Sequence, residues 1–323
     1  MQPFLRENGM ERIESTRDFE ELVKKEGYNR IKILISFEKG VPKSCGIFEK
    51  HEKKFFIKGA GIVRKYQVDR EVKILQVMSK LYLGKDIVIP KYINSKHYDK
   101  CSFLVEEYLK GYEKTWGDEE NHYKLLIKII KAYSKIRENP LPTTFDKKHL
   151  GQIEKLRNLP KKYERALKIA GVKSKIFSKK YYKKLNELEP LEEDIKFTLT
   201  HNDINGNNFL YNKEKKKYAL VDLERTDFGA LFCDIGRLIV FSALNWNLKR
   251  KKFEKEIYES NLYKPLQKLL NEKEKKLLKF YLLLDNLKRI NFYEDFMKDD
   301  KNYKNAITFS KKYVKWTIKN ILE

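Results

Sequence analysis

The stretch from Phe197 to Arg237 constrains this chain more than any other part of the sequence. An alternating apolar run leads into His201, Asp203 and Asn208, which together spell H-x-D-x-x-x-x-N. A second short apolar run, Y-A-L-V, leads directly into Asp222. A charged turn joins the two runs, so we expect a strand, a polar loop and a hairpin. The pattern therefore places Asp203, Asn208 and Asp222 in the loops that follow neighbouring strands.

These residue types at this spacing predict a phosphoryl-transfer site. Such a reaction needs one carboxylate that orients a hydroxyl group and accepts its proton. It also needs oxygen ligands that hold Mg²⁺ against the phosphate oxygens of a nucleotide. Asp203 suits the first task, and Asn208 and Asp222 suit the second. Any one of these residues alone is more typical of a cap or turn, so the prediction depends on their order and context.

A second aspartate in the same stretch offers a competing assignment. Asp227, Phe228 and Gly229 spell D-F-G, which marks the metal site of protein kinases. Asp227 lies beyond the predicted strand, whereas Asp222 directly follows it. We therefore assign the metal ligand to Asp222.

The stretch resembles the aminoglycoside phosphotransferase and choline kinase family of the protein-kinase-like fold, which includes kinase-like spore-coat proteins. The residues that carry the likeness are His201, Asp203, Asn208, Asp222 and the segment from Asp234 to Arg237, D-I-G-R. The resemblance implies that Asp203 is the catalytic base, that Asn208 and Asp222 bind magnesium, and that Asp234 braces the loop. We expect His201 to pack and hydrogen-bond rather than to transfer protons.

The first third of the chain offers the other half of a nucleotide site. Lys58 is the one cation within an apolar strand pattern, F-F-I-K-G, and is predicted to contact the α- and β-phosphates. Glu71 follows in a helical pattern and is predicted to pair with Lys58. Lys53 and Lys54 are the alternatives if Lys58 is only a solvated lysine at a strand end.

A hinge that binds the nucleotide base is implied by the resemblance. The segment F-L-V-E-E-Y-L-K-G resembles the family's hinge, so the main chain of Glu106, Glu107 and Tyr108 would bind adenine. Because main-chain atoms do this work, we expect little from the side chains. Gly40 and Gly46 lie where a phosphate-covering loop would be, but their spacing fits a plain hairpin turn equally well.

The order of elements predicts an α+β, two-lobed, protein-kinase-like fold. Five strands and one helix would form a small antiparallel N-terminal lobe over residues 1–109. Helices dominate the remaining pattern, so residues 110–323 would form a mostly helical lobe that contains the catalytic loop and the acceptor pocket.

Charge and cysteine content narrow the function classes. The net charge of +24 comes mainly from lysine spread along the chain, which attracts anions in general. Nucleic-acid binding is possible, but the absence of an arginine-rich, RNP or zinc-finger pattern makes it the weaker interpretation. Three cysteines without C-x-x-C spacing favour neither a disulfide framework nor a zinc site. With no secretory signal and no apolar run long enough to span a membrane, we expect a cytoplasmic protein.

The sequence thus predicts an enzyme that transfers the γ-phosphoryl group of ATP, or another nucleoside triphosphate, to a hydroxyl group of a small molecule, with Mg²⁺ as cofactor. The short segment between Asp222 and Asp234 favours a small acceptor over a protein. A cationic acceptor such as an aminoglycoside or choline would need acidic or aromatic walls; a sugar would need fewer. The acidic residues available for this are Glu113, Asp118, Glu119, Glu120 and Glu224. The alternative is a kinase-like structural protein, such as a spore-coat component, with weak or no catalysis. The oligomeric state is not predicted.

Overall fold

The chain divides into two compact units. The computed structural model describes residues 16–35, 43–61, 65–98, 101–114, 127–136, 156–188, 195, 197–204, 208–254 and 262–322. The first unit comprises Met1–Glu113 and Tyr211–Arg225, and the second comprises Lys114–Leu210 and Thr226–Glu323. The segment that carries Asp222 thus belongs with the first unit. The division into functional lobes over residues 1–109 and 110–323 stays a prediction. Predictions for residues 11–15, 36–42, 118–120, 123–126 and 139–155 fall outside the described residues.

A five-stranded antiparallel sheet forms the centre of the first unit. Its strand order is β1-β2-β3-β6-β5. The five antiparallel strands agree with the small sheet that the sequence predicts. The strands of this part of the chain are β1 (Asn29–Ile35), β2 (Lys43–Lys50), β3 (Lys53–Gly61), β4 (Ile87–Val88), β5 (Tyr92–His97) and β6 (Cys101–Glu107).

Helix α1 (Thr16–Lys25) covers the sheet through a short apolar stripe. Phe19 and Val23, one turn apart, are both fully buried. The helix is followed by Gly27 at a φ of 83°, a left-handed conformation that glycine adopts without steric cost. Apolar residues at helical spacing predict an amphipathic helix over Glu11–Lys25 that ends at Gly27, and the part from Thr16 onward is helical.

Apolar residues at helical spacing predict a helix over Tyr66–Leu83, but helix α2 (Lys65–Met78) is shorter. Tighter turn hydrogen bonds replace the helical ones from Lys80 onward, where the N–H of Lys80 donates to the carbonyl of Val77. Val68, Glu71 and Leu75 form the buried face of the helix. Glu71 therefore points away from solvent.

A proline splits what the sequence predicts as one strand from Ile87 to Ile93. Pro90 lacks a backbone N–H and cannot continue the hydrogen-bond ladder. The two halves join different sheets: β5 pairs with β6, whereas β4 runs parallel to β10 (Lys217–Leu220). β9 (Phe209–Asn212) and β7 (Glu113–Lys114) complete the order β4-β10-β9-β7.

Helices make up most of the second unit. Residues 127–133 are helical, and the helices that follow are α3 (Leu159–Lys162), α4 (Glu164–Ile169), α5 (Ser174–Asn186), α6 (Leu231–Arg250), α7 (Lys264–Gln267), α8 (Glu272–Phe296) and α9 (Tyr303–Leu322). Buried apolar side chains occur on most sides of α6 and α8, so both are core helices. Asn271 and Glu274 begin α8 with a reciprocal capping box.

A two-stranded sheet supports the start of the loop that contains His201 and Asp203. β8 (Phe197–Thr200) pairs antiparallel with β11 (Asp227–Ala230). The D-F-G string is therefore a strand, which the sequence did not predict. Cys45, Cys101 and Cys233 are not joined by a disulfide. Among the described residues, no helix is long and apolar enough to cross a membrane.

Candidate active site

Lys58 occupies the centre of a buried charge cluster in the first unit. It lies in the middle of β3, opposite Cys45 on one side and Leu104 on the other. Its Nζ atom is 2.6 Å from Oε1 of Glu71, 3.3 Å from Oε1 of Glu106 and 3.6 Å from Oδ1 of Asp222. The predicted Lys58–Glu71 pair is thus present in the structure. The predicted phosphate-binding role of Lys58 remains a proposal.

Glu71 also fixes the segment that follows Asp222. Its Oε1 atom accepts a hydrogen bond from the backbone N–H of Leu223 at 3.1 Å. Leu223 begins a single 3₁₀ turn, Leu223–Arg225. One carboxylate therefore positions both the lysine and the residue next to the predicted metal ligand.

The carboxylates of Glu71, Glu106 and Asp222 surround the single ammonium group of Lys58. Burial and these neighbouring charges shift the pKa values of Lys58, Glu71 and Glu106. Burial lowers the pKa of Lys58, but the charges of Glu106, Glu71 and Asp222 outweigh it and hold that pKa well above the usual value. Burial raises the pKa of Glu71 to about 8, although Lys58 opposes the shift. Burial likewise raises the pKa of Glu106. The cluster favours an additional positive charge.

The side chain of Glu106 was missed by the sequence reasoning. Glu106 is paired with Phe56 across the sheet, so its side chain shares a face with that of Lys58. It is 2% exposed, and no hydrogen bond from a described residue reaches Oε1. The expectation that side chains here carry little information is wrong for Glu106, because the strand register turns this carboxylate inward.

The other two hinge residues face elsewhere. The backbone N–H of Glu107 donates to the carbonyl of Lys91 at 2.9 Å, and its carboxylate accepts from the N–H of Lys91 at 3.3 Å. The carbonyl of Tyr108 accepts from the N–H of Lys110. Adenine binding by the main chain from Glu106 to Tyr108 stays a prediction.

Asp222 belongs to a group of oxygen donors that suits a divalent cation. Its side chain is 35% exposed, and its backbone has a φ of 60°. Carboxylate oxygens of Glu71, Asp222 and Glu224 lie within 4.8 Å of one another. Hard oxygen donors of this kind are the ligands that Mg²⁺ prefers. Glu224 is the member that sequence reasoning assigned only to a possible pocket wall.

Asp234 holds the loop of the second unit that contains Asp203. Its two carboxylate oxygens accept hydrogen bonds from the backbone N–H groups of His201 at 2.6 Å and Asn202 at 2.8 Å. His201 is fully buried, and its Nδ1 atom lies 3.2 Å from the N–H of Asp203, which donates to it. These hydrogen bonds join Asp234 and His201 to the backbone around Asp203, and the supporting role of both residues stays a prediction.

Asp203 carries a partly exposed carboxylate in this loop. Its side chain is 26% exposed. The amide nitrogen of Asn208 donates to the carbonyl of Asp203 at 2.9 Å and lies 3.4 Å from Oδ2. The structure thus brings Asp203 and Asn208 together. Their roles as base and metal ligand, including the predicted sharing of one cation by Asn208 and Asp222, remain proposals.

The D-F-G aspartate has structural partners instead. Asp227 is 6% exposed, and its Oδ1 atom accepts the N–H of Phe228 at 2.8 Å. Its carbonyl accepts the hydroxyl of Thr200 across the small sheet. Asp227 lies in the second unit, whereas Asp222 lies within 3.6 Å of Lys58 in the first. This placement favours Asp222 as the metal ligand.

Two arginines near Asp203 were also missed. Arg237 follows Asp234 on α6, and its Nη1 atom is 4.0 Å from Oδ1 of Asp203. Arg289 on α8 interacts electrostatically with both Asp203 and Arg237. Arg237 ends the D-I-G-R segment, which was a usable signal. Arg289 is one of many cations on a lysine-rich helix, and nothing in its spacing marks it.

The fold is protein-kinase-like, and the family comparison agrees. A model of the phosphotransferase enzyme family matches residues 57–254, more than half of the chain. The chain belongs to this phosphotransferase family, as the resemblance of the segment Phe197–Arg237 predicted. A comparison with curated proteins finds no match.

Solved structures share the fold over nearly the whole chain. ADP-bound aminoglycoside phosphotransferase APH(2'')-Ib is 16% identical with a TM-score of 0.57, over 93% of this chain and 99% of that one. The streptomycin–ATP ternary complex of APH(2'')-IIa is 14% identical with a TM-score of 0.56, over 95% and 99%. A thermostable mutant of aminoglycoside phosphotransferase APH(4)-Ia is 14% identical with a TM-score of 0.54, over 93% and 97%. At these identities the likeness shows the fold.

Proposed function

We propose that this protein is a small-molecule kinase that transfers the γ-phosphoryl group of ATP to a hydroxyl group. The observation that carries the proposal is the loop in which Asp234 fixes the backbone of His201 and Asn202 and leaves the carboxylate of Asp203 partly exposed. A base must be both oriented and accessible, and Asp203 is both. Two of the similar structures hold a nucleotide, ATP in one and ADP in the other, which supports a nucleotide as the donor.

The proposed reaction has a simple balance. The acceptor oxygen forms a bond to the γ-phosphorus while the bond from that phosphorus to the β,γ-bridging oxygen breaks, which releases ADP. The hydroxyl proton passes to Asp203. Lys58, held by Glu71, would stabilise negative charge on the nucleotide phosphates.

The residues present fit a magnesium cofactor. Asp222 and Glu224 would hold the ion near the lysine cluster, and Asn208 offers an amide oxygen as a further ligand. When bound, Mg²⁺ neutralises charge that develops on the phosphate oxygens. Three carboxylates around a single ammonium group make the cluster receptive to such an ion.

The decisive test is phosphoryl transfer from ATP by the purified full chain. The acceptor pool contains aminoglycosides, amino alcohols, sugars and hydroxy acids, and ADP release is measured with and without Mg²⁺. Replacing Asp203 with asparagine should lower kcat by about 10²- to 10⁴-fold, the usual contribution of general base catalysis. Asp299→Asn, an exposed aspartate on the surface of the second unit, is the control and should retain full activity.

The outcome also separates the enzyme from a kinase-like structural protein. ATP binding without transfer to any acceptor would contradict an active kinase. Equal transfer by Asp203→Asn would contradict the assigned base. Replacing ATP with GTP in the same assay identifies the preferred donor.

A further inference from the structure

One guanidinium group lies beside the proposed base, and a second, on the neighbouring helix of the second unit, lies within electrostatic range of it. Arg237 is on α6 and Arg289 is on α8. The Nη1 atom of Arg237 is 4.0 Å from Oδ1 of Asp203, and Arg289 interacts electrostatically with both of these residues. The side chain of Arg237 is 24% exposed. Two arginines of this unit therefore act on the carboxylate of Asp203.

Aromatic stacking fixes the orientation of Arg289. Its Cζ atom lies 3.4 Å from the ring centre of Phe241, which follows Arg237 by one turn of α6. The ring of Phe292 lies 5.7 Å from the same atom. An arginine stacked by its face on an aromatic ring keeps its N–H donors at the edge of the guanidinium plane. The edge, not the face, is therefore the part that can bind a ligand.

Those edge donors have no partner among the described residues. Neither a hydrogen bond nor an ion pair within 4.0 Å connects Arg289 to another residue in the part of the chain that the structure describes. Asp285, one turn earlier on α8, pairs instead with Lys288 at 3.0 Å. Burial lowers the pKa of Arg289 to about 10, although Asp285 opposes the shift. Arg289 is only partly buried, so a bound anion can reach these donors and supply the counter-charge that the described residues do not.

We propose that Arg237 and Arg289 bind an oxyanion carried by the hydroxyl acceptor. The acceptor class is then a hydroxy acid or a phosphorylated hydroxy compound, in which a carboxylate or phosphate sits a few bonds from the reacting hydroxyl group. Guanidinium edges bind such groups through paired, charge-assisted hydrogen bonds. The same contacts offset the repulsion between an anionic acceptor and the Asp203 carboxylate. A cationic acceptor would instead meet two like charges beside the base.

The claim that the bound anion is the phosphoryl acceptor rests on the proposed kinase activity. Anion binding itself is measurable without catalysis. Four probes differ mainly in charge: glycerate and glycerol 3-phosphate as anions, glycerol as the neutral compound, and choline as the cation. Binding of each probe to the full chain without nucleotide is measured by calorimetry at low ionic strength. We expect both anions to bind and the other two probes not to bind. Binding of one anion alone identifies the carboxylate or the phosphate as the group recognised.

Variants of Arg289 show where the anion binds. Arg289→Met keeps the stem beside Phe241 but removes the charge, and should weaken anion binding by about ten- to a hundredfold, the loss of a charged hydrogen bond. Arg289→Lys should recover part of the affinity, which a purely structural role would not predict. Arg250→Met is the matched control, because Arg250 also stacks on a ring of α6, that of Trp246, but pairs with Glu254. The control should bind anions as the wild type does.

The results of the two assays are separable. Equal binding of glycerol or choline, or unchanged anion binding by Arg289→Met, would overturn the oxyanion site even if the chain is a kinase. Anion binding that depends on Arg289 without phosphoryl transfer to any acceptor would uphold the site and refute the kinase. Transfer with a higher kcat/KM for cationic acceptors would overturn the acceptor class.

Discussion

The Oδ1 atom of Asp234 lies 2.8 Å from the backbone nitrogen of Asn202, a residue with a φ of 60°. This left-handed conformation costs energy for a residue other than glycine, although asparagine tolerates it better than most. The charge-assisted hydrogen bond offsets that cost. Because Oδ2 binds the N–H of His201, one buried carboxylate fixes two successive peptide units immediately before Asp203.

Replacing Asp234 with alanine should therefore damage both stability and catalysis. Two buried N–H groups would lose a charged acceptor, which we expect to cost about 3 kcal/mol in the free energy of unfolding. The loop would also release Asp203 from its fixed orientation, so kcat should fall more than KM rises. Asp234→Asn retains one acceptor oxygen and should give an intermediate loss. Wild-type kcat in Asp234→Ala, measured at a temperature where the variant is folded, would contradict the bracing role.

Variants of Asp222 and Asp227 distinguish a metal ligand from a residue that only supports the structure. Asp222→Asn removes a charged oxygen next to Lys58 and should raise the Mg²⁺ concentration needed for half-maximal activity by about tenfold or more. Asp222 is 35% exposed, so we expect little change in the melting temperature.

Asp227→Asn should show the reverse. Asp227 is buried and accepts the N–H of Phe228, so its replacement should lower stability by about 1 kcal/mol and leave the Mg²⁺ requirement unchanged. Magnesium titrations of both variants give the comparison. If Asp227→Asn shifted the Mg²⁺ requirement and Asp222→Asn did not, the D-F-G aspartate would be the ligand after all.

A close contact makes Gly59 the test of packing in the first unit. A Cβ atom at Gly59 would lie 2.3 Å and 2.5 Å from two ring carbons of Phe19. Phe19 is fully buried and packs edge to face on Phe48, so its ring has no room to move. We expect Gly59→Ala to lower the free energy of unfolding by about 1–3 kcal/mol. Phe19→Leu should restore part of this loss in the double variant.

Gly236 is the matched comparison, since a Cβ there would meet its nearest atom, Cβ of Tyr281, at 3.4 Å. It lies inside α6, where alanine is favoured over glycine by about 0.5–1 kcal/mol. Gly236→Ala should be neutral or stabilising in denaturant titrations. Similar losses in both variants would show that the contact with Phe19 does not decide the effect.

The sequence predicts those parts of the site in which the contacting residues are close together in the chain. His201, Asp203 and Asn208 are joined by bonds that span a few residues of one loop, so their spacing in the sequence already implied their proximity. The pairing of Lys58 with Glu71 was also predictable, because one apolar strand with a single cation precedes a helix with one acid on its buried face.

The parts that escaped prediction depend on strand register and on contacts distant in sequence. Two successive glutamates end β6, and only the pairing of Glu106 with Phe56 decides that Glu106, not Glu107, faces Lys58. Likewise, the D-F-G string becomes a strand because β8 lies beside it. Arg289 approaches Asp203 because α8 packs on α6. Helix α8 is buried on most sides, so the spacing of its apolar residues does not show which side faces α6.

Glu71 makes the stability of the chain depend on pH in a direction that can be tested. An unfolded glutamate releases its proton near its ordinary pKa of 4.5, whereas burial holds the pKa of folded Glu71 at about 8. Between these values the folded chain binds more protons than the unfolded chain, so its stability falls as pH rises. One such group contributes a slope of at most about 1.4 kcal/mol per pH unit.

The charge of Glu106 is one cause of the raised pKa of Glu71, so Glu106→Gln should reduce this loss of stability. The same substitution also removes a second carboxyl group whose own pKa is raised by burial. Melting temperatures between about pH 5 and pH 8, without nucleotide or divalent ions, should therefore decline less steeply in Glu106→Gln than in the wild type. Glu107→Gln is the matched control, because the carboxylate of Glu107 accepts from the backbone of Lys91 rather than facing Lys58, and it should keep the wild-type slope. An unchanged slope in Glu106→Gln would mean that Glu106 does not share the charge of Lys58 with Glu71.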